Sequence, residues 1–567
     1  MKISEVTVHN YRTISDGKVK LGNYTNFVGP NSAGKSNFIR SILQFYDYEG
    51  FKYNREPDFP KFDVIDSDVW VDIEYELLRE EYSTLDEQYR LPGNKMKLRR
   101  KLESRPLYGY RGSELSSDAF YGYANVSKAK IGEVIYIPAV PDSQEAFKFS
   151  GPSTVRDSIE KLIGKILDES VELKVISENL KNYIASIGDK TNEDGNSLNS
   201  YISKINDNMK SMNMEFLLDT GEVKPDIIVK SLFSVRLKDT RMGREVEQDS
   251  IGTGQLRHLF YNMIRIYHEM GASRQNEETQ RIKFSPRLNL LLFEEPEAYL
   301  HPPQQIALNK ALKDISMKED WQVIITSHSP VFLSKDTTDL TNIARFQRNS
   351  LGMSQIFQAN SETIDDLLSG SAVLIDFLKK KSSEADISQG LKSDIDRVLA
   401  GTMPDLDNFR YQSFLDGERA SAFFTDKVII CEGKSDKLFI EHIIEKNKLD
   451  DYGIYVLDSL GKYNLHRFMK LFQQFGISHI VMYDSDEHKP DKVPFALNRF
   501  IEDMKNSATV GSIVIPKDLE TQLKITIPNN RDDLKPLMIL KRIKEEGIDD
   551  MKDLEVLVLE QIKKLIE

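Results

Sequence analysis

An α/β fold in several domains is predicted by three observations in the sequence. A glycine-rich stretch, G-x-x-x-x-G-K-S, stands between an apolar strand and a helix; two later apolar strands end in acids or in a histidine; and three further apolar strands toward the C-terminus close on carboxylates. With 567 residues the chain is too long for one core and suggests about three or four domains. Hydrophobic content of 40% with 29% charged residues is that of an ordinary globular protein. The single cysteine, Cys431, excludes a disulfide framework and a Cys-rich zinc site and fits a reducing cytoplasm. A formal net charge of −13 argues against a uniformly basic nucleic-acid binder but allows local basic patches. Residues 1–6 read as a strand rather than a secretory signal, and no apolar run approaches the length of a membrane span.

The strand Thr25-Asn26-Phe27-Val28 runs into Gly29-Pro30-Asn31-Ser32-Ala33-Gly34-Lys35-Ser36, and Asn37 to Leu43 has helical spacing. Such a loop, here with Gly29, Asn31 and Gly34, turns backbone N–H groups onto a polyphosphate, and the helix N-terminus adds a favourable dipole. Lys35 is expected to reach the β and γ phosphates of ATP, and the Ser36 hydroxyl to ligate its Mg2+.

Taken in order, residues 1–28 alternate as an antiparallel meander with a polar break at Asp16-Gly17. Val8-His9-Asn10-Tyr11-Arg12 resembles the way RecF- and SMC-like ATPases lead into their phosphate loop. Val69 to Leu77 alternates strictly and reads as another strand. Residues 80–125 are polar, and the basic cluster Lys95, Lys97, Arg99, Arg100 and Lys101 is either a solvated face or a phosphate-backbone contact. Val134 to Ala139 is a compact apolar strand closed by Pro138. From Ser153 to about Met214 the pattern is helical, with Ile159, Leu162, Ile163, Ile166 and Leu167 on one stripe and a break from Gly188 to Gly195. That stripe suits either a hairpin packed on a second subunit or an intrachain helical layer. Strand patterning resumes at Asp226–Val229 and Leu232–Leu237.

Asp249-Ser250-Ile251-Gly252-Thr253-Gly254-Gln255 then opens a helical run, where a serine and glycines can cap the helix and offer N–H groups to phosphate. Asn289 to Glu297 is a buried-strand pattern ending in Glu294 and Glu295; an acid so placed can hold the Mg2+ shell, and the next can polarise the attacking water. Gln322 to Pro330 supplies the next strand, with His328 after it. Ser250 to Gln255 resembles the signature loop of ABC-type ATPases, and Asn289 to Glu297 their Walker B segment with Glu295 as the catalytic base. Ala298 to Pro302 resembles the segment that follows it, and His328 the switch histidine. Glu294 departs from the family's commoner aspartate by one methylene, which loosens the expected Mg2+ geometry. The resemblance implies an ABC/SMC-like ATPase domain in two parts, 1–150 and 225–360, around a helical dimerisation segment at 151–224. It also implies that Ser250, Gly252, Gly254 and Gln255 contact the nucleotide held by the opposite subunit.

Residues 361–424 read as a helical, charged connector. In Lys427 to Asp436, Glu432 ends a strand and Asp436 lies about one helical turn on, so both carboxylates can enter one cleft. Gly453 to Asp458 is a second strand; His479 to Glu487 is a third, carrying Asp484 and Asp486 at i and i+2, which share a strand face. Clustered carboxylates repel unless a cation sits among them, and all-oxygen sites favour Mg2+ or Mn2+. Three such elements in this order resemble the TOPRIM fold, giving a C-terminal TOPRIM α/β domain at 425–567. An ABC-type ATPase followed by TOPRIM resembles the OLD (overcoming lysogenization defect) endonucleases, a group that includes the Gabija nuclease subunit and retron-associated proteins. That resemblance implies Glu432, Asp436, Asp484 and Asp486 as metal acids, with Ser485 between the last two. Ser512 to Glu520 resembles the family's later acidic motif, which makes Glu520 a ligand for a second metal. The family's C-terminal lysine falls on Lys535, with Lys541 in reserve.

An ATP-regulated, divalent-metal-dependent DNA endonuclease in antiphage defence is therefore implied, a homodimer or higher homo-oligomer with a helicase-like or retron partner. A topoisomerase would need a further DNA-binding domain with a tyrosine nucleophile, for which little chain remains after TOPRIM. Primases commonly carry a Cys-rich zinc module, which one cysteine excludes. The rival is an SMC/RecF-like ATPase scaffold that binds DNA or partners without cutting.

Overall fold

The structure, a computed structural model, describes residues 1–122 except 105, 131–139, 284–333 except 285, 337–407, 416–528, 531–545 and 552–566. Between 140 and 283 it describes short pieces, the longest 197–209. The chain divides into two units, Met1–Ala139 with Ile282–Glu567, and Val140–Arg281.

Alternating apolar residues make strands β1 (Lys2–Tyr11) and β2 (Ile14–Lys20) an antiparallel hairpin. The polar break expected at Asp16-Gly17 lies inside β2. Asp16 faces His9 across the ladder, with Oδ1 2.6 Å from His9 Nδ1, and the turn falls at Arg12, whose φ is 53°. Nor is the antiparallel meander expected over residues 1–28 continuous. Strand β3 (Tyr24–Val28) is buried at every position and joins a different sheet, because its run lacks a polar face to present to water.

β4 (Trp70–Glu76), β5 (Lys95–Lys101), β6 (Leu107–Arg111) and β7 (Glu114–Ala119) complete the first sheet, antiparallel in the order β2-β1-β4-β5-β6-β7. The register of β4 on β5 decides the basic cluster. Asp72, buried on β4, takes Arg99 at 2.6 Å and Lys97 at 3.1 Å, and Glu74 takes Lys95 at 2.6 Å. Arg100 is buried on the opposite face, so Lys101 is the cluster's exposed member. The phosphate-contact alternative thus loses most of its cations to acids on the next strand.

β8 (Glu133–Ile137) precedes the second unit, where β9 (Leu237–Asp239) and β10 (Arg244–Val246) pair antiparallel. The apolar stripe at 159–167, the 188–195 break apart from Lys190, the expected strands at 226–229 and 232–237 apart from Leu237, and Ser250 and Gly252 lie outside the described residues. β11 (Asn289–Glu294), β12 (Trp321–Thr326), β13 (Ile343–Arg348) and β14 (Ser354–Gln358) build the second sheet, in the order β14-β13-β3-β12-β11-β8. Its five strands other than β14 run parallel, which brings the loops after β3, β11 and β12 to one edge.

A third sheet of β15 (Lys427–Cys431), β16 (Ile454–Asp458), β17 (Ser478–Asp484) and β18 (Thr509–Ile515) is parallel throughout, ordered β16-β15-β17-β18. One of its faces is packed by the helices Leu465–Gln474 and Val493–Asp503, the other by Lys434–Lys446 and Lys552–Ile566. The helices between 361 and 401 are more than a connector. Leu367, Leu374, Leu378, Leu391 and Ile395 share one core with Val428, Ile430, Phe468 and Val481, so this segment is packed as part of the third sheet's layer.

Candidate functional site

Backbone geometry builds the phosphate loop. Gly29 has φ of 129°, and a Cβ there would lie 2.1 Å from the Phe346 carbonyl oxygen. Gly34 has φ of 112°, with the Ser354 hydroxyl 2.2 Å from where a Cβ would stand, so both positions require glycine. Lys35 begins the helix Lys35–Phe45 and is buried; its Nζ donates to the carbonyls of Gly29 at 2.8 Å and Pro30 at 2.9 Å. Burial, opposed by Glu295 and Glu297, lowers the Lys35 ammonium to about 8. The Ser36 hydroxyl is 3.3 Å from Glu294 Oε2 at the end of β11. Burial raises the Glu294 carboxyl, against the hydrogen bonds it accepts from Ser36 and Tyr136. Glu295 takes a left-handed φ of 44° and donates its N–H to Thr326 O at 2.8 Å, which turns the chain out of the strand beside the loop. Past β12, the His328 N–H donates to Glu297 Oε1 at 2.5 Å, and burial, with Lys35 close by, lowers the imidazole to about 4, leaving it neutral at pH 7.

Gly29, Gly34, Lys35, Ser36, Glu294, Glu295 and His328 thus meet at one sheet edge, with Asn31 exposed on the loop. Gly254 and Gln255 are helical and belong to the second unit.

In the third sheet, parallel strands place every acid-bearing end at one edge. Glu432 follows β15, and its Oε1 accepts the Asp484 N–H at 2.9 Å. Asp436, buried in the first turn of Lys434–Lys446, accepts the Gly433 N–H at 2.9 Å. Asp484 Oδ1 accepts the Leu519 N–H at 3.1 Å, which fastens the strand end to the short helix Leu519–Gln522 that carries Glu520. Lys535 Nζ lies 3.5 Å from Glu520 Oε1, whereas Lys541 is exposed farther along the helix Lys535–Glu545. Asp484 and Asp486 do approach each other's field, but not through strand alternation. β17 ends at Asp484 and Asp486 has a left-handed φ of 50°, so its carboxylate turns toward Lys462.

Burial, reinforced by Asp436, Glu432, Glu520 and Asp486, raises Asp484 to about 9; burial, then Glu432, raises Asp436 to about 7. Buried carboxyls that repel one another and offer only oxygen fit a hard divalent cation. Among the described residues no three acidic, histidine or cysteine side chains are already gathered closely enough to hold an ion. Each of Glu432, Asp436 and Asp484 is instead turned onto a backbone N–H, and Asp486 onto an ammonium.

A carboxyl that keeps its proton in the fold but loses it on unfolding weakens the fold as pH rises, by about 1.4 kcal/mol per pH unit. From pH 7 to 8.5 Asp484 is in that window, protonated in the fold and ionised in the unfolded chain, whereas Lys35, lowered to about 8, releases its proton in the fold first and offsets part of the loss toward the upper end. His328 and His479, both lowered to about 4 by burial, are neutral in either state there. Metal-free protein is therefore expected to lose thermal stability from pH 7 to 8.5, and saturating Mg2+ or Mn2+ to flatten that loss, as read by scanning calorimetry. Stability that rises with pH in EDTA would contradict the buried-acid description.

Two residues that carry no motif stand out. Lys462, after β16, has its Nζ 2.8 Å from Asp486 Oδ2. Arg345 on β13 is fully buried and donates to the carbonyls of Phe423 at 3.2 Å, Thr425 at 2.6 Å and Phe475 at 2.9 Å, and to Asp426 Oδ1 at 3.0 Å. It thereby joins the nucleotide sheet to the entrance of β15. The signal for Lys462 was a Gly-Lys pair at a parallel strand end; Arg345 had none, since most of its partners are carbonyls and a carboxylate distant in sequence.

The model of the AAA ATPase domain matches residues 1–98 and 72–333, and that of the overcoming lysogenization defect protein-like TOPRIM domain matches 423–486. Endonuclease GajA of Bacillus cereus (strain VD045) is 22% identical over 510 residues, 86% of this chain and 75% of its own. Old nuclease of Escherichia phage P2 is 22% identical over 506 residues, 86% of this chain and 77% of its own. OLD nuclease of Thermus scotoductus (strain ATCC 700910 / SA-01) is 21% identical over 547 residues, 89% of this chain and 86% of its own. No helix among the described residues is long and apolar enough to cross a membrane.

Proposed function

Since the chain belongs to the AAA ATPase domain family and carries an overcoming lysogenization defect protein-like TOPRIM domain, we propose that it is an ATP-regulated, divalent-metal-dependent DNA endonuclease. The observation that carries this is the gathering of Glu432, Asp436, Asp484, Asp486 and Glu520 at one edge of a parallel sheet, with Lys535 beside Glu520. Relatives named endonuclease and nuclease over most of the chain support the same activity.

Glu432, Asp436, Asp484, Asp486 and Glu520 would hold the cations by turning from their present N–H and ammonium partners. Two ions, Mg2+ or Mn2+, would supply an activated water and neutralise the leaving 3′ oxygen. Lys535 offsets the charge that grows on the phosphorus-bound oxygens. At the nucleotide site, Lys35 must release the Gly29 and Pro30 carbonyls to take β and γ phosphate oxygens; Ser36 and Glu294 are placed for Mg2+, and Glu295 for the attacking water. A homodimer, in which Ser250, Gly252, Gly254 and Gln255 complete the partner's nucleotide site, is part of the proposal, as are a reducing cytoplasm and an antiphage setting with a helicase-like or retron partner.

Supercoiled plasmid incubated with the full chain in Mg2+ or Mn2+, with and without ATP, tests the activity. Nicked or linear product that EDTA suppresses is expected. Intact plasmid in every metal and nucleotide condition, from protein that hydrolyses ATP, would favour the non-cutting scaffold.

A further inference from the structure

Besides Lys535 at Glu520, the acids of the third sheet enclose a buried lysine, Lys462. Lys462 opens a short 3-10 turn, Lys462–Asn464, after Gly461, whose N–H donates to Glu432 O at 2.7 Å. That bond ties the Lys462 loop to the residue that ends β15. The lysine stem passes over Tyr483, with Nζ 5.3 Å from the ring centroid, and the side chain is 3% exposed. Its Nζ donates to Asp484 O at 2.5 Å and to Asp486 Oδ2 at 2.8 Å, and lies 3.7 Å from Glu432 Oε1. One ammonium thus touches three of the residues proposed as metal acids, and it holds the carboxylate of the one whose backbone has left the strand. A lysine buried this deeply without partners would be costly, whereas here it faces carboxylates that repel one another.

We propose that Lys462 is a positioning residue of the metal site, a resident cation that holds Asp486 and Glu432 in place and occupies part of the field that divalent ions would otherwise fill. It weakens divalent binding by its own charge while holding the Asp484 main chain and fixing the direction in which Asp486 presents its carboxylate. This rests on the nuclease reading of the same acids.

The test uses the full chain, Mn2+ titrated by calorimetry, and plasmid cleavage at saturating Mn2+. Lys462→Met keeps the stem over Tyr483 and removes the charge. It is expected to bind Mn2+ about tenfold tighter, because one positive charge within about 4 Å of the site is gone, yet to cleave at least about tenfold more slowly, because Asp486 and Glu432 are no longer held. Lys462→Arg keeps the charge on a longer, forked head, so Mn2+ affinity stays near wild type while cleavage falls. A merely structural lysine would give weaker Mn2+ binding in both variants, and an idle one no change in either quantity; both results overturn the proposal. If Lys462→Met melts as an unfolded chain, Lys462→Gln takes its place with the same expected directions. Wild-type protein that neither binds Mn2+ nor cuts overturns the nuclease reading and this inference with it. Wild-type protein that does both, beside an unaltered Lys462→Met, overturns this inference alone.

Discussion

Replacing Glu432 or Asp484 by alanine is expected to abolish DNA cleavage, by about a thousandfold or more, while ATP hydrolysis stays within about twofold of wild type. Glu432 follows β15 and Asp484 ends β17, neighbouring parallel strands, and Glu432 Oε1 is held by the Asp484 N–H at 2.9 Å. Either loss removes donor oxygens and disturbs the group that orients its neighbour. Alanine also strands a backbone N–H, that of Asp484 or of Leu519, at a stability cost of about 1–3 kcal/mol. Glu432→Gln and Asp484→Asn keep those acceptors but cannot ionise to bind a cation, so they are expected to be equally inactive with melting close to wild type. Plasmid cleavage and phosphate release, measured on the same preparations, decide the matter. Variants that cut at wild-type rates in Mg2+ or Mn2+ would place the chemistry elsewhere.

Replacing Lys35 by alanine is expected to weaken ATP binding by about a hundredfold or more, since charged hydrogen bonds to phosphate are lost. Folding should survive, because the lysine is a buried cation whose present partners are two loop carbonyls. Cleavage should persist but cease to respond to ATP. The route for that response is short. Lys35 lies in the field of Arg345, which binds the carbonyls of Phe423 and Thr425 just before β15, and His328 packs its ring 6.2 Å from that of Phe424 in the same segment. Nucleotide titrations of cleavage rate in wild type and Lys35→Ala measure the effect. A variant that keeps an undiminished ATP response would separate the phosphate loop from control of the acids.

The phosphate loop and the acid-ended strands were legible because each element is written in a short run of residues. In the phosphate loop, backbone N–H groups and one lysine follow one another along the chain. An acid at the end of a strand buried on both faces reads as an apolar run with a carboxylate after it, as at Glu294, Glu432 and Asp484. The hairpin turn was misplaced because Asp16 and Gly17 look like a break, while the ladder pairs Asp16 with His9 and leaves the turn to Arg12. Asp484 and Asp486 do not share a strand face, since alternation holds only as far as the strand does.

The sequence by itself determined the frame: a glycine-rich loop between strand and helix, and acids at the ends of buried α/β strands. It could do so because propensity, periodicity and spacing act over a few residues. Tertiary structure alone decided which charges are available. Lys95, Lys97 and Arg99 are spent on Asp72 and Glu74 by the register of β4 on β5, the 361–401 helices become core, and Arg345 and Lys462 find partners remote in sequence. Those outcomes depend on burial and cross-strand register, which no local window of sequence contains.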